Sequence, residues 1–460
     1  MVRPANTAAR VAILREFQHG PLGATALAAA LKISPRTTLR LLAEQGDAVV
    51  SSGQAQRRRY AARRPLRGVA AALPVFALDE AGHVTEAADL HPIQPQGCLF
   101  PLSALGWPVD DDSRDGWWGG LPYPLYDMQP QGFLGRAFAR ASHADLEVPA
   151  HPDEWGDDDV LHVLARRGED CSGHLIVGAA SLRRHQQQRV QAAEPLADAQ
   201  IASAYVAAAT QAASLGLAGS SVGGEFPKFT ARRALAGAAT AEVIVKFSGV
   251  ADAPATQRWA DLLVCEHLAL QRVQALGAAG AAATRLVQAG GRSFLESERF
   301  DRAGAWGRRP LVSLRALNGH LLGLASQDWR VHASQLAARG LIDAGTVHAI
   351  TRLWWFGRLI ANNDMHLGNL SFHPQAGRLR LAPAYDMLPM AFTPLPGGEV
   401  PEPRWDFELP LPAERAAWQA AGDAALLFWA DAASDARISP GFRARAAELG
   451  QRLDVLRDQA

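Results

Sequence analysis

"IANNDMHLGN", residues 360–369, places two Asn, an Asp, a His, a Gly and a further Asn directly behind the apolar run "LWWFGRLI" of 353–360. Asn, Asp and Gly favour turns, and a loop that leaves a helix needs them. The same stretch also meets a chemical demand. Asp364 and Asn369 stand five residues apart, the spacing at which one loop supplies both a proton acceptor and a metal ligand for phosphoryl transfer. The flanking sequence decides between a plain turn and a catalytic loop.

Downstream, "RLRLAPAY" reads as a strand that ends at Asp386. A hairpin there returns a second carboxylate to the loop carrying Asn369. Mg²⁺ prefers carboxylate and amide oxygens, so Asp364, Asn369 and Asp386 form a set suited to it. His366 and His373 lack the spacing or a third ligand that zinc would require.

Upstream, three further stretches fit the same chemistry. "GSSVGGEFPKF", residues 219–229, offers backbone N–H groups to an anion, with Lys228 behind them; it has no Walker A ending, and a plain turn remains open. "AEVIVKFS", residues 241–248, is a β-branched run in which Lys246 needs an anionic partner if buried. Glu266, in the helical stretch "LLVCEHLALQRV", is a candidate for that partner. "SFLESERFDR", residues 293–302, reads as a strand running into a connection whose backbone can meet an adenine edge. Only Lys32, Lys228 and Lys246 among the 46 basic residues are lysine. Such scarcity points to positions where a compact ammonium serves better than a planar guanidinium, with chance as the alternative at any one of the three.

The N-terminal 67 residues carry twelve Arg or Lys against Glu16, Glu44 and Asp47, a net +9 within a chain of formal charge zero. Such segregation points to a basic module that meets a polyanion. "AARVAILREF" predicts a helix with Val11, Leu14 and Phe17 inward, and "TALAAALKI" a second. "SPRTTLRLLAEQG" predicts a third, capped by Ser34, opened by Pro35 and stopped by Gly46. Leu39 and Leu42 are expected inward, and Arg36, Thr37 and Arg40 outward. Two strands follow, the second laden with Arg57, Arg58 and Arg59. This is the pattern of a winged helix-turn-helix, with a recognition helix for the major groove and a wing for phosphate. A small packing or dimerisation module is the alternative.

The expected domains are 1–62, a DNA-binding unit; 63–67, a linker; 68–205, a scaffold without assignable chemistry; 206–310, a lobe with the Gly-rich loop and the lysine; and 311–460, a helical lobe. In the scaffold, a hairpin is expected around Gly82 and a helix over "GFLGRAFARA", while "RRHQQQR" reads as a solvated, mobile stretch. Cys98, Cys171 and Cys265 are scattered and read as buried small hydrophobes. No apolar leader or run long enough to cross a bilayer is visible, so a cytosolic location without membrane contact is expected.

Taken in order, "SVGGEFPK", "VIVKFS", "ESERFDR", "NNDMHLGN" and "PAYDML" resemble the HipA family of serine/threonine kinases, the toxin components of bacterial persistence modules. The resemblance implies a multi-domain α+β chain with a two-lobed, protein-kinase-like body. It implies that Asp364 is the catalytic base and that Asn369 and Asp386 bind Mg²⁺. Lys246 would hold the phosphates of ATP, with Tyr385 and His366 beside the nucleotide, and Glu298 and Phe300 would offer main-chain groups to adenine. The loop Gly223, Gly224 to Lys228 would cover the phosphates, and Ser221, or its neighbour Ser220, would be autophosphorylated. The implied partners are a protein substrate and an antitoxin, although a chain carrying its own DNA-binding module leaves the antitoxin open. A palindromic operator would favour a homodimer. A nucleotide-sensing regulator and a small-molecule phosphotransferase are the alternative functions.

Overall fold

The computed structural model describes residues 5–212, 225–250, 253–277 and 280–457. Ser220, Ser221, Gly223 and Gly224 lie outside them.

Three helices, Ala5–Glu16, Ala24–Leu31 and Pro35–Ala43, precede a hairpin of Val49–Ser52 and Arg59–Ala62, to which Leu22–Gly23 adds a third strand. The third helix starts where expected, because the Ser34 hydroxyl accepts from the Thr37 N–H at 3.1 Å and Pro35 opens the first turn. Its inward face is Thr38, Leu41 and Leu42, while Leu39 is 48% exposed. In the first helix Ile13 is buried and Val11 is 46% exposed, and Phe17, directly after it, is buried. Leu14, Phe17 and Leu42 face the core as expected, whereas Val11 and Leu39 do not, because in these short helices the apolar residues outnumber the positions a small core can cover. Arg57 and Arg58 also precede the second strand, Arg57 closing a short 3-10 turn.

Residues 63–67 are anchored. Arg64 forms a two-pronged pair with Asp158, Arg67 pairs with Asp159, and Val50 and Ala61 pack with Ile93, Leu99 and Trp117. The next unit is built on a five-stranded antiparallel sheet whose central hairpin, Leu73–Leu78 and Val84–Pro92, turns at Gly82 with φ 81°. Helices Gly132–Leu146, Asp157–Arg167 and Ala179–Gln191 complete it. "RRHQQQR" is ordered within the last of these, with His185 buried. Cys98 and Cys265 are buried and Cys171 is half-buried.

The following lobe is a four-stranded sheet in the order Thr284–Ala289, Arg292–Glu298, Glu242–Phe247, Lys228–Arg232. One face packs on the helix Asp198–Ala212, through Ile201 and Tyr205 against Val243, Val245, Phe247 and Phe294. The expected boundary at 205/206 therefore falls inside a helix that belongs with this sheet. The long helix Pro254–Ala275 joins the main core with the helical last lobe, formed by Trp329–Ala338, Ala344–Leu359, Arg415–Ser434 and Pro440–Arg457.

Candidate active site

The run 353–360 ends the helix Ala344–Leu359, with Trp355, Phe356 and Leu359 buried. The apolar face fixes the helix end, so the polar residues that follow leave the core at a set point. The Asn362 Oδ1 accepts from the Asp364 N–H at 3.0 Å, and the Asn369 Nδ2 donates to the Asp364 carbonyl at 2.9 Å. These two bonds close the loop on itself. Since the Asn369 NH₂ faces Asp364, its Oδ1 is left for a ligand. His366 caps the short turn Leu367–Asn369, its Nδ1 accepting from the Gly368 N–H at 3.0 Å. A side chain on Gly368 would meet the Arg315 guanidinium at 2.8 Å, so glycine admits that cation to the loop.

The hairpin Ser371–Gln375 and Arg378–Leu381 brings the chain back as expected. Asp386 follows with φ 53°, a left-handed conformation that costs a non-glycine residue about 1–3 kcal/mol. Two contacts hold it there: Asn362 Nδ2 donates to its carbonyl at 3.2 Å, and Lys246 Nζ pairs with its carboxylate. Tyr385 fastens the loop from behind, its hydroxyl donating to the Gly368 carbonyl at 2.6 Å and meeting Ser371 Oγ at 2.7 Å.

Lys246, on the strand Glu242–Phe247, is bound by both oxygens of Glu266 at 2.7 and 2.8 Å. Burial would lower its pKa, but Asp386 and Glu266 reverse that and hold it above the usual range. Burial would likewise raise the Asp386 carboxyl, yet Lys246 and Lys228 keep it low and ionised. Among the described residues no cation pairs directly with the Asp364 carboxylate. Burial raises its carboxyl, opposed by His366 and Arg315 and reinforced by Asp386 and Glu225.

Asp364, His366, Asn369, Asp386, Lys228 and Lys246 all line one cavity of about 870 Å³. Asn369 and Asp386 present an amide and a carboxylate oxygen, donors that fit Mg²⁺. Glu298 and Phe300 are not among the lining residues, whereas Arg299 between them is. The Glu298 N–H is taken by the Ala283 carbonyl and its side chain by Arg285, and the Phe300 ring packs 5.4 Å from that of Tyr385.

Several residues of the cavity carried no signal in the sequence. Its far wall comes from the preceding unit, residues 127–138. Asp127 accepts from both the N–H and the hydroxyl of Ser313 at 2.6 Å, and Arg136 pairs with Glu225 at 2.8 Å. Glu225 also pairs with Lys228 at 3.0 Å, so the lysine already has an anionic neighbour. Asn362 stood inside the opening stretch, but its support of both aspartates depends on the fold.

The basic residues of the N-terminal unit divide into two groups. Arg36 is exposed, Thr37 bonds the Ser34 hydroxyl at 2.8 Å, and Arg40 pairs with Glu44 at 2.6 Å. Arg57 instead reaches Asp115 at 3.1 Å and the Asp111 carbonyl at 3.3 Å, while Arg59 lies over Trp117 and Arg58 over Tyr60. No helix among the described residues is long and apolar enough to cross a membrane.

Comparison with known proteins follows the same division of the chain. Residues 220–452 match the family described as HipA-like C-terminal domain, and residues 69–186 match the YjjJ-like toxin, middle domain. The chain is 35% identical over 441 residues to Toxin YjjJ of Escherichia coli (strain K12), covering 96% of this chain and 97% of that protein. Among solved structures, a chain from the Shewanella oneidensis MR-1 toxin–antitoxin complex of HipA, HipB and operator DNA matches with a TM-score of 0.46 and 13% identity, covering 84% of this chain and 97% of that one. The Helicobacter pylori proinflammatory kinase CtkA matches with a TM-score of 0.27 and 17% identity, over 35% and 53% of the two chains. The assignment rests on the sequence matches rather than on these structural likenesses, and by them the chain belongs to the HipA-like toxin family.

Proposed function

We propose that the protein is an ATP- and Mg²⁺-dependent serine/threonine protein kinase that restrains growth when active. The observation that carries this is the convergence of Asp364, Asn369, Asp386 and the Glu266-bound Lys246 on one cavity. Asp364 accepts the proton of the acceptor hydroxyl as its oxygen bonds to the γ-phosphorus and the bond from that phosphorus to the leaving ADP oxygen breaks. Lys246 holds the nucleotide phosphates by charge. Asn369 and Asp386 would hold Mg²⁺, which neutralises phosphate charge when bound. The protein's own contribution is position and preorganised charge.

The serine phosphorylated in self-limitation is read as Ser221 or Ser220. Residues 1–62 are read as a winged helix-turn-helix that binds operator DNA through Arg36, Thr37 and Arg40 of the recognition helix and Arg57, Arg58 and Arg59 at the wing, allowing the chain to regulate its own promoter, as a homodimer on a palindromic site. An antitoxin and a protein substrate are the remaining partners of this reading.

Intact mass and phosphopeptide mapping after incubation with Mg²⁺ and ATP, beside Asp364→Ala, test it. A phosphate on Ser220 or Ser221 that is absent from the variant is expected. Equal phosphate in the variant, or none in either protein together with no ATP turnover, overturns the kinase assignment.

A further inference from the structure

A second cavity, about 560 Å³, opens beside the helix Ala179–Gln191 and the Arg232–Glu242 end of the four-stranded sheet. It adjoins the first at Asp170 and Thr230, which line both, but Asp364, Asn369, Asp386 and Lys246 do not line it. His185, Gln188 and Gln191 recur every third residue of the helix and so share a face. All three line the cavity, opposite Arg232, Trp306 and Arg308.

Arg308 is 3% exposed, and among the described residues no carboxylate pairs with it. Its Nη2 donates to the Glu169 backbone carbonyl and lies 3.4 Å from His185 Nδ1, while Nη1 has no partner. Because His185 Nδ1 accepts, the ring proton sits on Nε2, and that buried donor is unpartnered as well. Glu169 is held by Arg184 through one carboxylate oxygen with the other unpartnered, Glu194 is exposed at the cavity, and the two remaining carboxylates of the lining are engaged elsewhere. Asp170 is held by Arg299 and Arg302 at 2.8 Å each, and Glu242 by Arg232 at 3.0 Å. Buried polar groups are almost always satisfied, and a buried cation calls for an anion.

We propose that this cavity binds a small molecule through an oxyanion, phosphate or carboxylate, that draws the Arg308 guanidinium and the His185 ring of its lining towards it, satisfying their buried Nη1 and Nε2, with the Gln188 and Gln191 amides at the rim. The volume suits a small metabolite. Burial and the neighbouring Arg302 pull the Arg308 guanidinium down to about 9, a penalty that a bound anion relieves. Thr230 stands two residues from Lys228 and Glu242 four from Lys246 on their strands, so by strand alternation the ligand sits on the same face of the sheet as the two lysines, further along it. The site does not depend on the kinase reading.

The test is the unfolding temperature of the full chain titrated with inorganic phosphate and, separately, with acetate, each at constant ionic strength made up with chloride. A saturable rise is expected with at least one; phosphate alone identifies a tetrahedral anion, acetate alone a carboxylate. Gln188 is exposed, so Gln188→Glu folds normally and places a carboxylate at the rim. It should raise the half-saturating concentration at least tenfold, and Arg308→Gln should abolish the response. Lys246→Met/Glu266→Gln, which alters the first cavity, should leave it unchanged. No saturable rise with either anion overturns the proposal. So does a rise that survives Gln188→Glu unchanged and disappears in the Lys246→Met/Glu266→Gln protein.

Discussion

Lys246 Nζ lies 2.7 and 2.8 Å from the two carboxylate oxygens of Glu266, at a site where the lysine is 8% exposed. Removing one member of such a pair leaves a buried charge without compensation, which costs about 3–5 kcal/mol. Lys246→Met should lower the free energy of unfolding by that amount, and Lys246→Met/Glu266→Gln should recover most of it. Urea unfolding of the two proteins measures the difference. Both should fail to transfer phosphate.

Asp364 separates chemistry from folding. Its side chain lines the cavity, whereas the loop is closed through its backbone N–H and carbonyl. Asp364→Asn should therefore unfold at the wild-type urea concentration while losing phosphoryl transfer by about 10²–10⁴-fold, the range for a positioned proton acceptor. A rate assay with radiolabelled ATP reads the loss.

Tyr385→Phe removes the bonds to Gly368 and Ser371 and keeps the ring against Phe300. A lost hydrogen bond of this kind costs about 0.5–1.5 kcal/mol. The transfer rate should fall, because the Gly368 carbonyl is no longer held, with nucleotide affinity changed less than the rate. Single-turnover kinetics separate the two.

Asp301 provides a pH dependence. Burial would raise its carboxyl, but Arg299 and Arg302 hold it well below the usual carboxylate range. A depressed acid stabilises the fold fully above its unfolded pKa of about 3.9 and loses that contribution as the pH falls further towards the folded value. Asp301→Asn should be less stable at pH 7 by about 3–5 kcal/mol. The gap to wild type should narrow below pH ~4. Urea unfolding at several pH values checks both statements.

If residues 1–62 bind DNA as proposed, Arg57 exchanges Asp115 for phosphate. Asp115→Asn removes an exposed pair worth at most about 1 kcal/mol, so it should tighten binding to duplex of any sequence slightly. Arg36→Ala should cost about 1–3 kcal/mol on the operator if Arg36 reads a base. Fluorescence anisotropy at two salt concentrations distinguishes the effects.

The loop of the candidate site was legible because its residues are close in sequence and their chemistry is specific: Asp364, Asn369 and Asp386 arrive in one cavity through a single turn and a hairpin. Lys246 was legible for a different reason, since a lysine in a β-branched run demands a partner, and Glu266 is that partner. Leu39 and Val11 were misplaced because a short, uniformly apolar helix offers several nearly equivalent faces. The unit preceding the lobes was opaque. Three of its five strands are only two or three residues long, too short for an alternation to register, and Asp127, Arg136 and Arg315 meet the site through contacts spanning up to 186 residues.

The wall formed by residues 127–138 gives this chain two separately adjustable parts. The aspartates and the lysine sit on the lobes, whereas the side of the cavity facing them belongs to a unit with its own family description. Under the proposed kinase activity, changes along that wall would alter which hydroxyl gains entry while leaving the aspartates and the lysine in place. On that proposal, target choice and reaction chemistry would be open to independent evolution within one polypeptide.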